Sequence, residues 1–197
     1  MTMHYYRLEH PTSEQWLRLL QWALARSHTV EFRYDNVRAP LPKPLRPFQS
    51  QLKASFVTCH FWGAKQLRPS RFIRLTLDDI LRAFLLSRPS LSDWEALSPA
   101  LTDPALYDGE TAHLWTIAHE GMAFVAMDET EAKGWQSQGV PLTLAEGVEL
   151  PIVKREVPCS RHSWDDRLTM ILAVVILLGF LGMGYYMLEG FLRLLAR

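Results

Sequence analysis

Hydrophobic and polar positions are distributed unevenly along this chain, and the longest apolar run lies near its end. From Leu168 to Leu188 no side chain is charged at neutral pH, and only Glu189 to Arg197 follow. An uncharged run of about 20 residues is the length an α-helix needs to cross the hydrocarbon core of a bilayer, where the helix must satisfy its own backbone polar groups. Trp164 stands ahead of the run and Tyr185 and Tyr186 close it; rings with a polar handle favour the two interfaces. At about 1.5 Å per residue, Trp164 to Tyr186 covers roughly 33 Å, one hydrocarbon thickness and its edges. The pattern predicts a tail-anchored protein. Residues 1–157 form a domain, 158–167 a polar stalk, 168–188 a single transmembrane helix and 189–197 a short tail.

Before residue 158 the periods are shorter and mixed. Thr12 with Gln15 has the spacing of a capping box, and Trp16, Leu17, Leu20, Ala23 and Leu24 then fall on one face of a helix ending near Ser27. Thr29 to Tyr34 alternates as a strand, with Val30, Phe32 and Tyr34 opposite Glu31 and Arg33. Four prolines between Arg38 and Phe48 predict a stiff, polyproline-like connector. Ala54–Trp62 and Phe72–Leu75 are expected as buried strands. Thr76 with Asp79 predicts the start of a helix that carries Leu77, Ile80, Leu81, Phe84 and Leu85 and stops at Pro89. His113–Ala118 and Met122–Met127 flank His119-Glu120-Gly121 as a hairpin, and Leu142–Leu144 with Val148–Val153 suggest another. The fold class is therefore α+β: one compact mixed domain of short helices with antiparallel strands and hairpins, followed by one C-terminal transmembrane helix.

Charge refines this picture. The chain is neutral overall, yet residues 1–75 hold 12 Lys+Arg against 4 Asp+Glu, and residues 76–150 hold 3 against 13. Such asymmetry signals either an external anion for the basic half or mutual attraction between two halves of one domain, and the absence of a linker favours attraction. Lys154, Arg155, Arg161 and Arg167 precede the apolar run and only Arg193 and Arg197 follow it, which places the domain in the cytosol, with a bacterial inner membrane favoured. Met1 to Gln21 lacks the charged start, apolar core and small-residue cleavage site of a secretory signal, so export of the domain is not expected. Cys59 and Cys159 are its two cysteines, a usage that fits a reducing compartment.

Candidate chemistry is sparse. Lys65, Arg68, Arg71 and Arg74 lie close to Phe61, Trp62 and Phe72, a composition suited to phosphate or lipid headgroups and to nucleotide or nucleic-acid stacking. On an extended strand Arg71 would point away from Arg68 and Arg74. Gly179, Gly182 and Gly184 cluster within the apolar run and would permit close helix packing, in a homo-oligomer or with another membrane protein, although no Gly-x-x-x-Gly is present. The Cys/His pairs 59–60 and 159–162 lack the spacing of a zinc site, and His119-Glu120 lacks a second histidine. Nucleophile-elbow and phosphate-loop motifs are absent, and no cofactor is expected. The expected function is that of a non-catalytic adaptor or subunit of a membrane-associated complex. The alternatives are a tethered sensor that binds nucleotide or nucleic acid through its basic half, and an enzyme built from scattered residues.

Overall fold

The computed structural model describes residues 3–61, 64–96 and 101–146. Contacts divide the chain into two units, Met1–Cys159 and Ser160–Arg197, and every described residue belongs to the first. The expected transmembrane helix and the glycines Gly179, Gly182 and Gly184 lie outside the described residues. Among those described, no helix is long and apolar enough to cross a membrane.

The domain is a sheet-rich α+β structure. Its strands are β1 (His4–Glu9), β2 (Thr29–Tyr34), β3 (Leu52–Phe61), β4 (Ala64–Thr76), β5 (Leu101–Asp108), β6 (Thr111–Ile117), β7 (Met122–Met127) and β8 (Thr143–Leu144). They form one sheet in the order β3-β4-β2-β5-β6-β7-β1-β8, and all neighbouring pairs are antiparallel. Among the described residues four α-helices interrupt them: α1 (Ser13–Leu24), α2 (Asp79–Leu86), α3 (Asp93–Ala96) and α4 (Glu129–Ser137).

Local signals explain where the helices start. The capping box is present on α1: the Thr12 hydroxyl accepts from the Gln15 N–H at 3.2 Å while the Thr12 N–H donates to Gln15 Oε1 at 3.0 Å. Its apolar face buries Trp16, Leu19, Leu20, Ala23 and Leu24. Asp78 and Asp128 cap α2 and α4 in the same way, each carboxylate accepting the N–H three residues on at 2.8 Å. The cap of α2 is thus Asp78, two residues beyond the expected Thr76.

All four helices pack on one face of the sheet. A single apolar cluster joins Trp16, Leu20, Leu81, Leu85, Trp94 and Ala132 to Leu8, Val30, Phe32, Ile73, Leu75, Leu114 and Val125 from the strands. The opposite face carries a second, smaller cluster of Tyr5, Ala105, Tyr107, Ala112, Trp115, Phe124 and Ala126, with no helical residue in it. Trp115 and Phe124 stack at 3.8 Å with planes 4° apart. Most strands therefore carry buried side chains on both faces.

The β6–β7 connection is a tight turn, Ala118–Glu120, closed by Gly121 at φ 66°. Its carbonyl accepts from the His10 N–H at 2.7 Å, and a Cβ at this position would run into the His10 imidazole. Glycine is required here by both torsion and space.

Several expectations are corrected. β1, β5 and α4 were not expected as elements, and β4 is far longer than Phe72–Leu75. The segment expected as a buried strand over Ala54–Trp62 is instead an edge strand on which Lys53, Ala54, Ser55 and Val57 are exposed, because nothing pairs beyond it among the described residues. The proline-rich connector winds into short 3₁₀ turns over Lys43–Gln51 that bury Leu45 and Phe48. Cys59 is disulfide-bonded, whereas the chain's two cysteines read, in sequence, as the usage of a reducing compartment.

Candidate functional site

A connected group of ionisable side chains lies on the face away from the helices, across β4, β2 and β5. Cross-strand register places Glu31 opposite Arg74 on one side and Ala105 on the other. Glu31 Oε2 accepts from Arg74 Nη2 at 2.6 Å and Nε at 3.1 Å, and Oε1 lies 3.4 Å from the Tyr107 hydroxyl. The Arg74 guanidinium also rests 4.7 Å from the Tyr107 ring centroid, a cation–π contact that desolvation strengthens. Burial pushes the Glu31 carboxyl above its ordinary range, and Arg74 opposes that push. Burial, reinforced by the Glu31 charge, raises the Tyr107 hydroxyl well above the usual phenol value, so it stays protonated and donates.

A second group adjoins it. Arg33 reaches Asp103 Oδ2 through Nη1 at 3.3 Å, Asp35 Oδ1 through Nη2 at 3.0 Å and the Ser70 hydroxyl through Nε at 3.1 Å. Asp103 also accepts from the Thr102 hydroxyl at 3.0 Å and from the Ala118 N–H at 2.8 Å. It adopts φ 54°, a left-handed conformation that Asp tolerates better than most residues. Each oxygen of the Glu31 and Asp103 carboxylates has a partner. With its proton acceptors already engaged, the arrangement works as a cross-strand clamp.

Three of the four basic residues singled out in the sequence have described side chains. Arg74 is half-buried in the clamp. Arg71 points to the opposite face, with Nε 2.6 Å from the Ser55 hydroxyl and Nη1 2.8 Å from the Ala39 carbonyl. Arg68 is exposed, and the Lys65 side chain lies outside what is described. Of the three whose side chains are described, Arg71 and Arg74 lie on opposite faces of β4.

Part of the charge asymmetry along the chain is met inside the domain. Arg26 pairs with Glu131, His28 with Asp108 and Arg33 with Asp103, each joining the basic to the acidic half. Arg74 instead finds its partner, Glu31, within the basic half.

One open cleft of about 370 Å³ lies between α4 and the β1–β8 edge, lined by His4, Tyr6, Glu129, Ala132, Lys133, Gln136 and Leu144. Its charges compensate each other: Lys133 and Glu129 pair at 2.6 Å. That pairing lowers the Glu129 carboxyl and raises the Lys133 ammonium. Among the described residues no group of three His, Cys, Asp or Glu side chains is placed to hold a metal ion.

Glu31, Arg33, Asp103 and Tyr107 were not foreseen as a site. Alternation on β2 marked Glu31 and Arg33 as its polar side, which ordinarily faces water. Only the neighbouring strands, distant in sequence, reveal that this side is closed. No protein-family model, curated protein or solved structure matches the chain.

Proposed function

We propose that the protein is a non-catalytic, membrane-tethered domain that serves as an adaptor or subunit of a membrane-associated complex, anchored by one helix over 168–188. The observation that carries this reading is the uncharged run from Leu168 to Leu188 with its aromatic borders. The internal commitment of the domain's polar groups supports it, since Arg71 and Arg74 spend their donors on the domain itself. A nucleotide- or nucleic-acid-binding role would need such donors free.

Four cations before the run and two after it favour a cytosolic domain. One observation favours a second reading, with the domain on the oxidising side: Cys59 is disulfide-bonded, and disulfides persist mainly in oxidising compartments. Protease added to sealed right-side-out cells separates the two, sparing a cytosolic domain and digesting an external one.

The anchor itself is tested by carbonate extraction. The full chain is expected to remain in the membrane pellet, and release into the supernatant would remove the tether.

A further inference from the structure

The cleft between α4 and the β1–β8 edge is built by periodicity. On α4, Glu129, Ala132, Lys133 and Gln136 stand at i, i+3, i+4 and i+7, one face of the helix. On β1, His4 and Tyr6 are two apart and share one side of the strand, and the register sets Leu144 of β8 directly opposite Tyr6. The two surfaces meet across a space of about 370 Å³, within the size range of small-molecule sites. Both walls are tied down. The Asp128 carboxylate caps α4, Gln136 Nε2 donates to the Leu142 carbonyl at 2.6 Å, and the Ala145 N–H holds β8 to the Tyr5 carbonyl at 2.8 Å.

Tyr6 is the group in this cleft that the fold itself leaves unused. It is only 6 % exposed and belongs to the helical-face core, yet its hydroxyl makes no hydrogen bond to any described residue. A polar group so nearly buried ordinarily has a partner. Tyr6 lines the cleft, within electrostatic reach of the Lys133 ammonium. That ammonium carries three N–H donors, of which the contact with Glu129 Oε1 at 2.6 Å takes one. Both side chains of the pair are 70 % exposed, and an exposed pair contributes little to folding. Lys133 and Glu129 are therefore free to turn to a ligand. Glu129 keeps its second oxygen, and Gln136 Oε1 has no partner among the described residues.

The paired side chains thus present both signs of charge at contact distance and cancel each other. A simple anion would be repelled by Glu129 and a simple cation by Lys133. A sugar would want an exposed aromatic face, and the ring of Tyr6 is buried. The complement is a molecule that carries one positive and one negative group side by side, with an apolar body for Leu144, which is 51 % exposed. We propose that this cleft binds the zwitterion of an apolar α-amino acid. Its carboxylate accepts from Lys133 Nζ and the Tyr6 hydroxyl, its ammonium donates to Glu129 and Gln136 Oε1, and its side chain covers Leu144. The site stands apart from the membrane reading, because every residue in it lies within 4–144.

The test uses the full chain in detergent, titrated calorimetrically at pH 7 with L-leucine and with L-phenylalanine, then with the N-acetyl and the amide form of whichever binds more tightly. At least one amino acid should bind, and each blocked form, lacking one charge, should bind about tenfold more weakly. Lys133→Met should weaken the amino acid about tenfold and Tyr6→Phe about fivefold, while the melting temperature of the unliganded Tyr6→Phe protein stays close to wild type because the hydroxyl has no partner to lose. Should Tyr6→Phe fail to fold, Lys133→Met, on an exposed side chain, carries the same test. Absence of binding by both amino acids overturns the proposal. Equal affinity for either blocked form overturns the zwitterion, and binding that neither substitution weakens places the ligand elsewhere and overturns the site.

Discussion

The two faces of this sheet are built from different materials. The helical face is apolar throughout its centre, and Phe32, Trp94 and Phe84 pack ring against ring at 5.5 and 6.1 Å. The other face combines an aromatic cluster on β5, β6, β7 and β1 with ion pairs on β4, β2 and β5. Apolar packing gains free energy in proportion to the area removed from water, and a small fault costs in proportion. A buried ion pair behaves otherwise: its two charges lose hydration that their attraction barely repays, so the intact pair adds little while half a pair is costly. The helical face should therefore supply stability, and the polar half of the second face should fix which strands lie side by side.

The largest expected effect follows on the helical face. Phe32 is fully buried at the middle of β2, and Phe32→Ala should cost about 3–5 kcal/mol, the transfer of the ring plus the cavity it leaves. Urea denaturation checks it. A loss under about 1 kcal/mol would mean that the face repacks freely and is no better ordered than a fluid layer.

The ion pair is tested by comparing one substitution with two. Arg74→Met alone strands Glu31 and should cost about 3 kcal/mol, whereas Glu31→Leu with Arg74→Met should cost less than about 1 kcal/mol. If single and double variants lose the same amount, the pair is not the unit described. The single variant should also acquire a pH dependence. Burial already raises the Glu31 carboxyl and Arg74 opposes it, so without Arg74 the folded state holds a proton that the unfolded chain releases above the ordinary value of 4.5. A folded value raised above the unfolded one gives stability that is complete below 4.5 and lost as pH rises. The urea midpoint of Arg74→Met should fall from pH 4 to 7 more steeply than that of the wild type.

His113 offers the opposite slope on the helical face, where its ring lies edge-on to Trp22 at 6.3 Å. Burial lowers its imidazole below the usual 6.5, against the pull of Asp108 and Glu131 and with help from Arg26. The folded state then binds fewer protons than the unfolded chain, so stability is present above pH 6.5 and is lost as pH falls through the depressed value. His113→Gln should remove that part of the acid-side decline in melting temperature. An unchanged profile would assign the decline to other groups.

The same contrast explains what the sequence disclosed. α1 and β2 were legible because their signals are local: a capping box four residues long, and alternation over six. β5 was hidden because Asp103 and Pro104 read as a loop, yet Asp103 is held in its left-handed conformation by Arg33, Thr102 and Ala118, two of them remote in sequence. α4 was hidden behind a weak apolar stripe with one buried residue, Ala132. β3 misled because Phe56 and Val57 look like core until the sheet order places them at an edge. The clamp escaped detection for a related reason. A charged residue on an alternating strand reads as solvent-facing, and only tertiary pairing turns Glu31 and Arg74 inward.

The smallest effect concerns the basic cluster that stood out first. Arg71 and Arg74 are engaged on opposite faces of β4, and Arg68 is exposed. Exposed cations contribute little to folding, so Arg68→Gln should leave stability within about 0.5 kcal/mol of wild type. At an anionic lipid surface one cation near the headgroups is worth about 1 kcal/mol, so the same substitution should weaken low-salt binding to anionic liposomes about fivefold if this hairpin touches the membrane. Arg74→Gln should lower stability through the stranded Glu31 and leave liposome binding of the folded protein unchanged. If Arg74→Gln weakens binding as much as Arg68→Gln while the melting temperature holds, the guanidinium of Arg74 is free to leave Glu31, and the clamp on the second face is a ligand site in its resting state.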